Sequence, residues 1–111
     1  MAKILLVEDE MLVRELAYED LTEAGHDVTA AGSGDEALAI LKREPGFELL
    51  FTDIRMPGSI DGWQLAEQAK RAVPGIRVIY ATGLNDDAGQ MGPGDRLLTK
   101  PYRRNELLAL V

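Results

Sequence analysis

The 111-residue sequence contains no cysteine, one histidine and no long hydrophobic run. The lack of cysteine excludes a disulfide framework and a thiolate metal site, and it fits a reducing compartment. The single histidine, His26, does not make a metal site, and we expect it at the surface. The apolar run at residues 4–7 stops at Glu8-Asp9-Glu10 and is too short for a signal peptide or a membrane span. We therefore expect a cytoplasmic protein that does not insert into membranes.

Positively charged residues are also few, since 12 Lys and Arg stand against 19 Asp and Glu, for a net charge of −7. Nonspecific binding to nucleic acid or to acidic membranes needs clustered cations, so we expect neither as a partner. The remaining composition, 46% hydrophobic and 28% charged, is typical of a globular protein. The length predicts one domain, residues 1–111, with a core that needs no cross-links.

Short apolar runs alternate with amphipathic segments along the whole chain. Strands are predicted at residues 4–7, 27–31, 47–52, 76–81 and 96–99. Helices are predicted at residues 10–24, from 33 to the Pro45-Gly46 break, at 63–72 and at 105–111. The glycine-rich stretch 83–94 leaves room for a helix of about two turns at most. This alternation predicts parallel strands joined by right-handed crossovers, in a doubly wound α/β sheet with helices on both faces.

Local signals mark the ends of these helices. Gly25 stands where the C-cap of the first helix belongs. Ser33 and Glu36 have the spacing of a capping box, and Asp61 can cap the third helix. Apolar residues recur at helical spacing in the first helix, and these are Leu12, Val13, Leu16, Ala17, Leu21 and Ala24.

Charged or polar side chains follow four of the five predicted strands. Glu8 and Asp9 follow the first strand, Asp53 the third, Thr82 the fourth and Lys100 the fifth. Each one alone is explained as loop charge, a helix cap or a strand-forming residue. In a doubly wound sheet, however, ligands bind beyond the carboxyl ends of the strands, so we expect these five side chains to converge.

Three carboxylates brought together in this way need a counter-charge. Each close pair repels by roughly 4 kcal/mol at an effective dielectric constant of about 20, and a bound cation offsets that cost. An all-oxygen ligand set with positions left for water suits Mg²⁺, and Lys100 supplies a second cation. With its charge neutralised on two sides, a phosphoryl group can be attacked by the Asp53 carboxylate. Thr82 could then donate a hydrogen bond to the acyl phosphate, which makes a switch.

Four segments carry a family resemblance. They are ILLVEDE at 4–10, TDIRMPG at 52–58 with Asp61-Gly62, ATG at 81–83 and TKPY at 99–102. In this order they resemble the receiver domain of bacterial two-component response regulators, over the whole chain. The resemblance implies a flavodoxin-like five-stranded parallel sheet in the order 2-1-3-4-5, here with a short or irregular fourth helix. It implies a phosphorylation-dependent signalling switch that is not a turnover enzyme and assists only its own phosphorylation and dephosphorylation.

The family's roles carry over to the acidic residues that match its motifs. Asp53 would accept a phosphoryl group from a histidine kinase or a histidine phosphotransfer protein. The change would then be relayed to a downstream protein that the sequence does not identify. Asp9, Asp53 and the backbone carbonyl of Arg55 would ligate Mg²⁺ directly, and Glu8 would act mainly through bound water.

The resemblance also implies roles for the residues that follow the last two strands. Lys100 would contact the phosphoryl group, and Thr82 would be the hydroxyl that moves towards it. The bond between Lys100 and Pro101 would be cis, a geometry that is otherwise rare. Independently of the resemblance, Tyr102 is predicted either to cover the phosphorylation pocket or to pack beneath the last helix.

The sequence departs from the family pattern in three places. The loop after the phosphoacceptor is one residue longer, owing to Ser59-Ile60. Leu97 stands where the family usually has its switch aromatic residue, and the stretch 83–95 is short and glycine-rich where a full fourth helix is usual. We therefore expect the signal to leave through Thr82 and the loop that follows it.

The segment Tyr80 to Leu84 is similar to a motif of an alphaproteobacterial receiver subfamily, written Phe-Ala-Thr-Gly-hydrophobic-Tyr. Here Tyr80 replaces the phenylalanine and Asn85 replaces the tyrosine. A receiver from a hybrid histidine kinase would show similar features. Arg55 and Leu84 are predicted to overhang the site and to set the lifetime of the phosphate, and Trp63 is predicted to pack rather than to bind a partner.

Three other functions compete with this interpretation. A metal-dependent aspartyl phosphatase or phosphotransferase, similar to haloacid dehalogenases, needs Asp-x-Asp after its first strand and a cap domain. The chain has Glu8-Asp9-Glu10 there, and no cap fits its length. A flavin or nucleotide site would need a phosphate-cradling loop at the same place, which these carboxylates repel. A receiver-like interaction module that no longer accepts phosphate is disfavoured because the motif residues are all present.

Overall fold

The computed structural model describes residues 1–83 and 91–111. Within these ranges the strands are β1 (Lys3–Val7), β2 (Asp27–Ala31), β3 (Leu49–Asp53), β4 (Arg77–Thr82) and β5 (Arg96–Thr99). The helices are α1 (Met11–Glu23), α2 (Gly34–Arg43), α3 (Gly62–Ala72) and α4 (Arg104–Leu110). Every strand and helix that the sequence predicts within these ranges is confirmed. The short or irregular helix predicted in 83–94 lies mainly outside the described residues. None of the described helices is both long and apolar enough to cross a bilayer.

The five strands form one parallel sheet in the order β2-β1-β3-β4-β5, as the resemblance implied. β3 lies at the centre and all five of its residues are buried, because helices cover both faces of the sheet. In the strand register Asp53 lies beside Ala81, and Thr82 lies beside Thr99. The carboxyl ends of the strands therefore meet along a single edge.

Two hydrophobic clusters cover the two faces of this sheet. Side chains of each strand alternate between them, so that Leu5 belongs to one cluster and Leu6 to the other. The first cluster includes buried residues of α2 and α3, and the second includes buried residues of α1 and α4. This arrangement confirms the predicted doubly wound sheet.

Predicted caps are found at the end of α1 and at the start of α2. Gly25 has a φ of +96°, and its N–H and that of His26 donate to carbonyls of the last turn of α1, which ends the helix in a Schellman motif. Ser33 accepts a hydrogen bond from the N–H of Glu36 at 3.1 Å. The Glu36 carboxylate, however, accepts from the N–H of Gly32, so only half of the predicted capping box is present.

The apolar residues of α1 are covered only in part, and the environment of His26 differs from its prediction. Of the residues at helical spacing, Leu12 and Leu16 are 70% and 62% exposed and Ala24 is exposed too, whereas Ala17 and Leu21 are buried. Helical spacing marks every apolar side chain of α1, but the sheet and α4 cover only one narrow stripe of it. His26 is half-buried, and its Nδ1 accepts the N–H of the residue before β1 at 3.0 Å, so it helps to fix the start of that strand.

Candidate functional site

The candidate site lies at the carboxyl edge of the sheet. Glu8 and Asp9 follow β1, Asp53 is the last residue of β3, Thr82 is the last residue of β4 and Lys100 follows β5. Each strand is a short apolar run that ends where its polar residues begin, and the parallel register aligns those ends. The five side chains that the sequence singled out therefore lie at the same edge.

Lys100 joins two of the carboxylates directly. Its Nζ lies 2.6 Å from Oε1 of Glu8 and 2.9 Å from Oδ2 of Asp53, and it donates a hydrogen bond to each. Both carboxylates are buried, whereas Lys100 is partly exposed. Glu8 thus has a direct ionic partner, a contact that the sequence did not predict.

Asp9 completes a group of three carboxylates. Oxygen atoms of Glu8, Asp9 and Asp53 lie within 4.8 Å of one another, with Asp9 exposed and the other two buried. Hard oxygen donors that open to solvent on one side suit Mg²⁺, whereas Zn²⁺ favours nitrogen and sulfur. The residues present therefore fit the ion that the family resemblance implies.

Burial and charge shift the pKa values of these groups. Burial raises the pKa of Glu8 to about 7, although hydrogen bonds from Lys100 and from the N–H of Glu10 oppose the shift. Burial likewise raises the pKa of Asp53 against the hydrogen bond from Lys100. For Lys100 burial acts in the opposite direction, but the two carboxylates outweigh it and raise the pKa of the ammonium group. Because burial favours the protonated form of both carboxyl groups, a cation that enters the metal-free site would compete with protons there.

Thr82 is tied to this group through its backbone. Its carbonyl accepts the N–H of Lys100 at 2.7 Å, and its buried hydroxyl donates to the carbonyl of Gly83 at 3.0 Å. The bond between Lys100 and Pro101 is cis, as predicted. Tyr102 packs edge-on against the ring of Phe51, which realises the packing role that was one of its two predicted alternatives.

The connection between β3 and α3 is held close to Asp53. The N–H of Gly62 donates to the carbonyl of Ile54 at 2.7 Å, and a complete capping box of Asp61 and Gln64 starts α3. A Cβ atom on Gly62 would meet the carbonyl oxygen of Asp53. Only glycine allows the start of α3 to approach the end of β3 this closely.

The longer part of the same connection is fastened to α2. The Ser59 hydroxyl donates to Asp35 Oδ1 at 2.6 Å. Ile60 lies against the start of α2, where a Cβ atom on Gly34 would be 2.5 Å from Ile60 Cγ1. The additional residue that the sequence indicated is therefore accommodated by contacts with α2, which the sequence did not predict.

Other residues singled out in the sequence lie around this edge. Arg55 is exposed, and its predicted roles stay predictions. Leu84 lies outside the described residues. Leu97 is 37% exposed on β5, one of the two edge strands. Trp63 packs against Tyr80 with ring centroids 4.4 Å apart and the ring planes tilted by 47°, which confirms its predicted packing role.

A groove beside the site was not predicted. It encloses about 520 Å³ between α1 and the chain after β5, with Val13, Leu16, Pro101 and Tyr102 among its lining residues and Lys100 at the side of the carboxylates. The signal in the sequence was the helical spacing of apolar residues in α1, which does not distinguish an uncovered face from a buried one. The structure shows that this part of the apolar face borders the groove.

Comparisons with known proteins agree with this architecture. The family model described as response regulator receiver domain matches residues 4–111. CpdR, a response regulator receiver protein of Brucella abortus, is 37% identical over 114 residues, which cover 97% of this chain and 92% of CpdR. FleR, a response regulator protein of Pseudomonas aeruginosa, is 38% identical over 115 residues, which cover 99% of this chain but 24% of FleR.

A solved structure leads to the same family. The crystal structure of a response regulator receiver protein from Sinorhizobium medicae has a TM-score of 0.92 and 33% identity, and the match covers 99% of this chain and 90% of that one. The match to this structure and the match to the family model each cover nearly the whole sequence. The order of the strands in the sheet agrees with both. The chain therefore belongs to the response regulator receiver domains, the signalling modules of two-component systems.

Proposed function

We propose that the chain is a phosphorylation-dependent switch in which Asp53 is the phosphoacceptor. The observation that carries this proposal is the contact of Lys100 Nζ with both Glu8 and Asp53, next to Asp9. A carboxylate placed between a fixed ammonium group and a cation-binding cluster is prepared to attack phosphorus, because the charge on the incoming phosphoryl oxygens is neutralised on two sides. On this proposal residues 1–111 act as one receiver domain in the cytoplasm.

The phosphodonor in this proposal is a phosphohistidine of a histidine kinase or a histidine phosphotransfer protein. A carboxylate oxygen of Asp53 forms a bond to phosphorus while the bond from phosphorus to the imidazole nitrogen breaks, and the imidazole leaves. Lys100 then pairs with an oxygen of the transferred phosphoryl group. Hydrolysis of the acyl phosphate by water resets the switch, so no other substrate is turned over.

The acidic residues have a second task in this proposal, which is to hold Mg²⁺. Asp9, Asp53 and the backbone carbonyl of Arg55 would bind the ion directly, and Glu8 would contribute through bound water. When bound, the ion neutralises part of the charge of the phosphoryl oxygens. Before it binds, Glu8 and Asp53 share the ammonium group of Lys100, which keeps their repulsion low.

Thr82 would respond to the phosphorylation of Asp53. Its hydroxyl donates to Gly83 in the structure, and the acyl phosphate would offer a charged acceptor in exchange for that carbonyl. A turn of the hydroxyl towards the phosphoryl group would move the chain that follows β4. A downstream protein would then bind the altered surface.

The groove next to α1 is the proposed docking place of the phosphodonor. Lys100 belongs both to the groove and to the site, so a protein seated there would bring its phosphohistidine near Asp53. Leu16 belongs to the lining of the groove, and Leu12, one helical turn earlier, continues this apolar surface along the exposed side of α1. Such a lining fits the apolar face of a helix on the donor.

Intact-mass analysis with Mg²⁺ and acetyl phosphate tests the phosphoacceptor role. We expect the wild-type protein to gain the mass of one phosphoryl group, and hydroxylamine to remove it, because hydroxylamine cleaves acyl phosphates. Asp53→Asn should gain nothing, whereas Asp27→Asn, which changes an exposed aspartate at the opposite end of the sheet, should behave as wild type. A wild-type protein that gains no phosphate from several small donors would contradict the proposal.

A further inference from the structure

The connection between β3 and α3 is a closed loop at residues 54–62. At its start the N–H of Ile54 donates to the carbonyl of Ala81 at 3.0 Å, so that Ile54 is tied to β4 and is 3% exposed. At its end the N–H of Gly62 donates to the carbonyl of Ile54 at 2.7 Å, so the two ends of the loop meet. The base of the loop is therefore fixed to the sheet, directly after Asp53.

The far part of this loop is attached to α2. The Ser59 hydroxyl donates to Oδ1 of Asp35 at 2.6 Å, and the N–H of Ser59 donates a longer hydrogen bond, of 3.4 Å, to Oδ2. Gly58 has a φ of +113° and lies against the same side chain, where a Cβ atom would be 3.4 Å from Oδ2. Asp35 belongs to the first turn of α2. Its carboxylate therefore contacts two consecutive residues of the loop.

Apolar contacts hold the loop in a different way. Met56 and Ile60 are partly buried and pack against the hydrophobic cluster that includes α2 and α3. Arg55 lies between the buried Ile54 and Met56 and is exposed. Apolar packing has no preferred direction, whereas hydrogen bonds do, so the contacts with Asp35 restrict the orientation of the loop more than the packing does.

We propose that Ser59 and Asp35 are positioning residues for Mg²⁺, which hold the loop that carries the backbone carbonyl of Arg55. This inference rests on the proposed function, in which that carbonyl binds the ion together with Asp9 and Asp53. Mg²⁺ requires a nearly ideal octahedron, so a ligand on a loop is either held in place beforehand or ordered at an entropic cost when the ion binds. The contact of Ser59 with Asp35 restrains the loop independently of the ion, since neither residue is a proposed ligand.

Substitutions at Ser59 can release this contact without unfolding the chain. Ser59→Ala removes the hydroxyl and leaves the packing of Met56 and Ile60, whereas Ser59→Thr keeps a hydroxyl and tests for rescue. Thr22→Val is the matched control, because the hydroxyl that it removes donates to carbonyls of its own helix, α1. Ser59 is exposed, so we expect its variants to fold, and circular dichroism checks this.

Calorimetric titration with Mg²⁺ and, separately, with Ca²⁺ measures the effect. We expect Ser59→Ala to raise the dissociation constant of Mg²⁺ by about threefold to tenfold, which corresponds to the loss of one hydrogen bond. Ser59→Thr and Thr22→Val should bind Mg²⁺ as the wild type does. The loss for Ca²⁺ in Ser59→Ala should be smaller, because Ca²⁺ accepts irregular geometries. In an Asp35→Ala background, Ser59→Ala should have no further effect, because its partner is already absent.

The outcomes separate this inference from the proposed function. Unchanged Mg²⁺ binding in Ser59→Ala, or equal losses for Mg²⁺ and Ca²⁺, would overturn the positioning role. An effect of Ser59→Ala that is as large in the Asp35→Ala background as in the wild type would overturn it too. Asp9→Asn removes a proposed ligand, so its weaker Mg²⁺ binding would support the proposed site even where Ser59→Ala has no effect. A wild-type protein that binds no Mg²⁺ would overturn both the inference and the proposed metal site.

Discussion

Lys100 contacts two carboxylates whose pKa values burial has raised, so the proton content of this site depends on pH near neutrality. The pKa of Glu8 is about 7 in the folded protein against an ordinary value of 4.5. Between these values the folded, metal-free protein binds a proton that the unfolded chain releases. The stability from this proton is fully present below about pH 4.5 and is lost as the pH rises through about 7.

The affinity for Mg²⁺ is predicted to increase with pH, whereas the stability from this proton decreases. The apparent affinity should rise between about pH 6 and pH 8, because the ion competes with the proton on Glu8, whose pKa is about 7. Isothermal titration calorimetry at constant ionic strength measures this dependence. Glu8→Gln removes the group that titrates near neutrality, so its affinity should vary less over the same range. A Glu8→Gln protein with the full wild-type dependence would contradict the assignment.

The individual residues of the site were predictable because each one stands directly after a predicted strand. Because the strands are parallel, residues that directly follow them in the sequence lie together at one edge of the sheet. The contact of Ser59 with Asp35 was not predictable in the same way. The two residues lie 24 positions apart in the chain, and a serine next to a glycine in a connecting loop is typical of an exposed turn.

At the level of secondary-structure elements, the approach of α3 to β3 depends on Gly62. We predict that Gly62→Ala lowers the free energy of unfolding by about 1–3 kcal/mol, because the new methyl group would meet backbone atoms of Asp53 and Ile54. Urea denaturation of the metal-free protein measures the change. Gly32→Ala is the matched control, since its methyl group would meet only the ends of two side chains, Arg14 at 3.3 Å and Glu36 at 3.8 Å. Equal losses in the two variants would show that α3 has room to shift.

The exposed side of α1 leads to a prediction about the choice of phosphodonor. Leu16→Asp should slow phosphotransfer from phosphorylated histidine phosphotransfer domains but leave phosphorylation by acetyl phosphate unchanged, because the small donor does not need the groove. Rates from both kinds of donor are compared by phosphate-affinity electrophoresis. Tyr18→Asp places the same charge on α1 but outside the groove lining and should not change either rate. Equal slowing with both donors would point to damage at Asp53 instead.

The bounds of the elements were easier to predict than the surroundings of α1. Apolar runs, glycine and proline breaks and capping residues are local properties, and they located the described strands and helices. Whether Leu12 and Leu16 are covered depends on how far α4 and the chain after β5 extend over α1. That distance is set by tertiary packing, so the sequence period of α1 did not reveal it.

For the whole molecule, the binding of Mg²⁺ should appear as added stability. Free Mg²⁺ at about 100 times its dissociation constant should raise the free energy of unfolding by about 2.7 kcal/mol, because the ion binds the folded protein and not the unfolded chain. Urea denaturation with and without the ion measures this difference. Asp9→Asn, which removes the exposed ligand, should gain less, and Asp27→Asn should gain as much as wild type. An equal gain in all three proteins would place the ion elsewhere.

The contact of Lys100 with Glu8 and Asp53 also bears on which ions the protein selects. The lysine comes from a part of the chain 92 residues away from one carboxylate and 47 from the other, and it acts as a built-in monovalent counterion. A sodium or potassium ion offers no more charge than the ammonium group already present, so exchanging one for the other gains little. A divalent ion brings twice the charge and can share the carboxylates with the lysine. We therefore expect the unphosphorylated site to bind divalent ions in preference to the abundant monovalent ones.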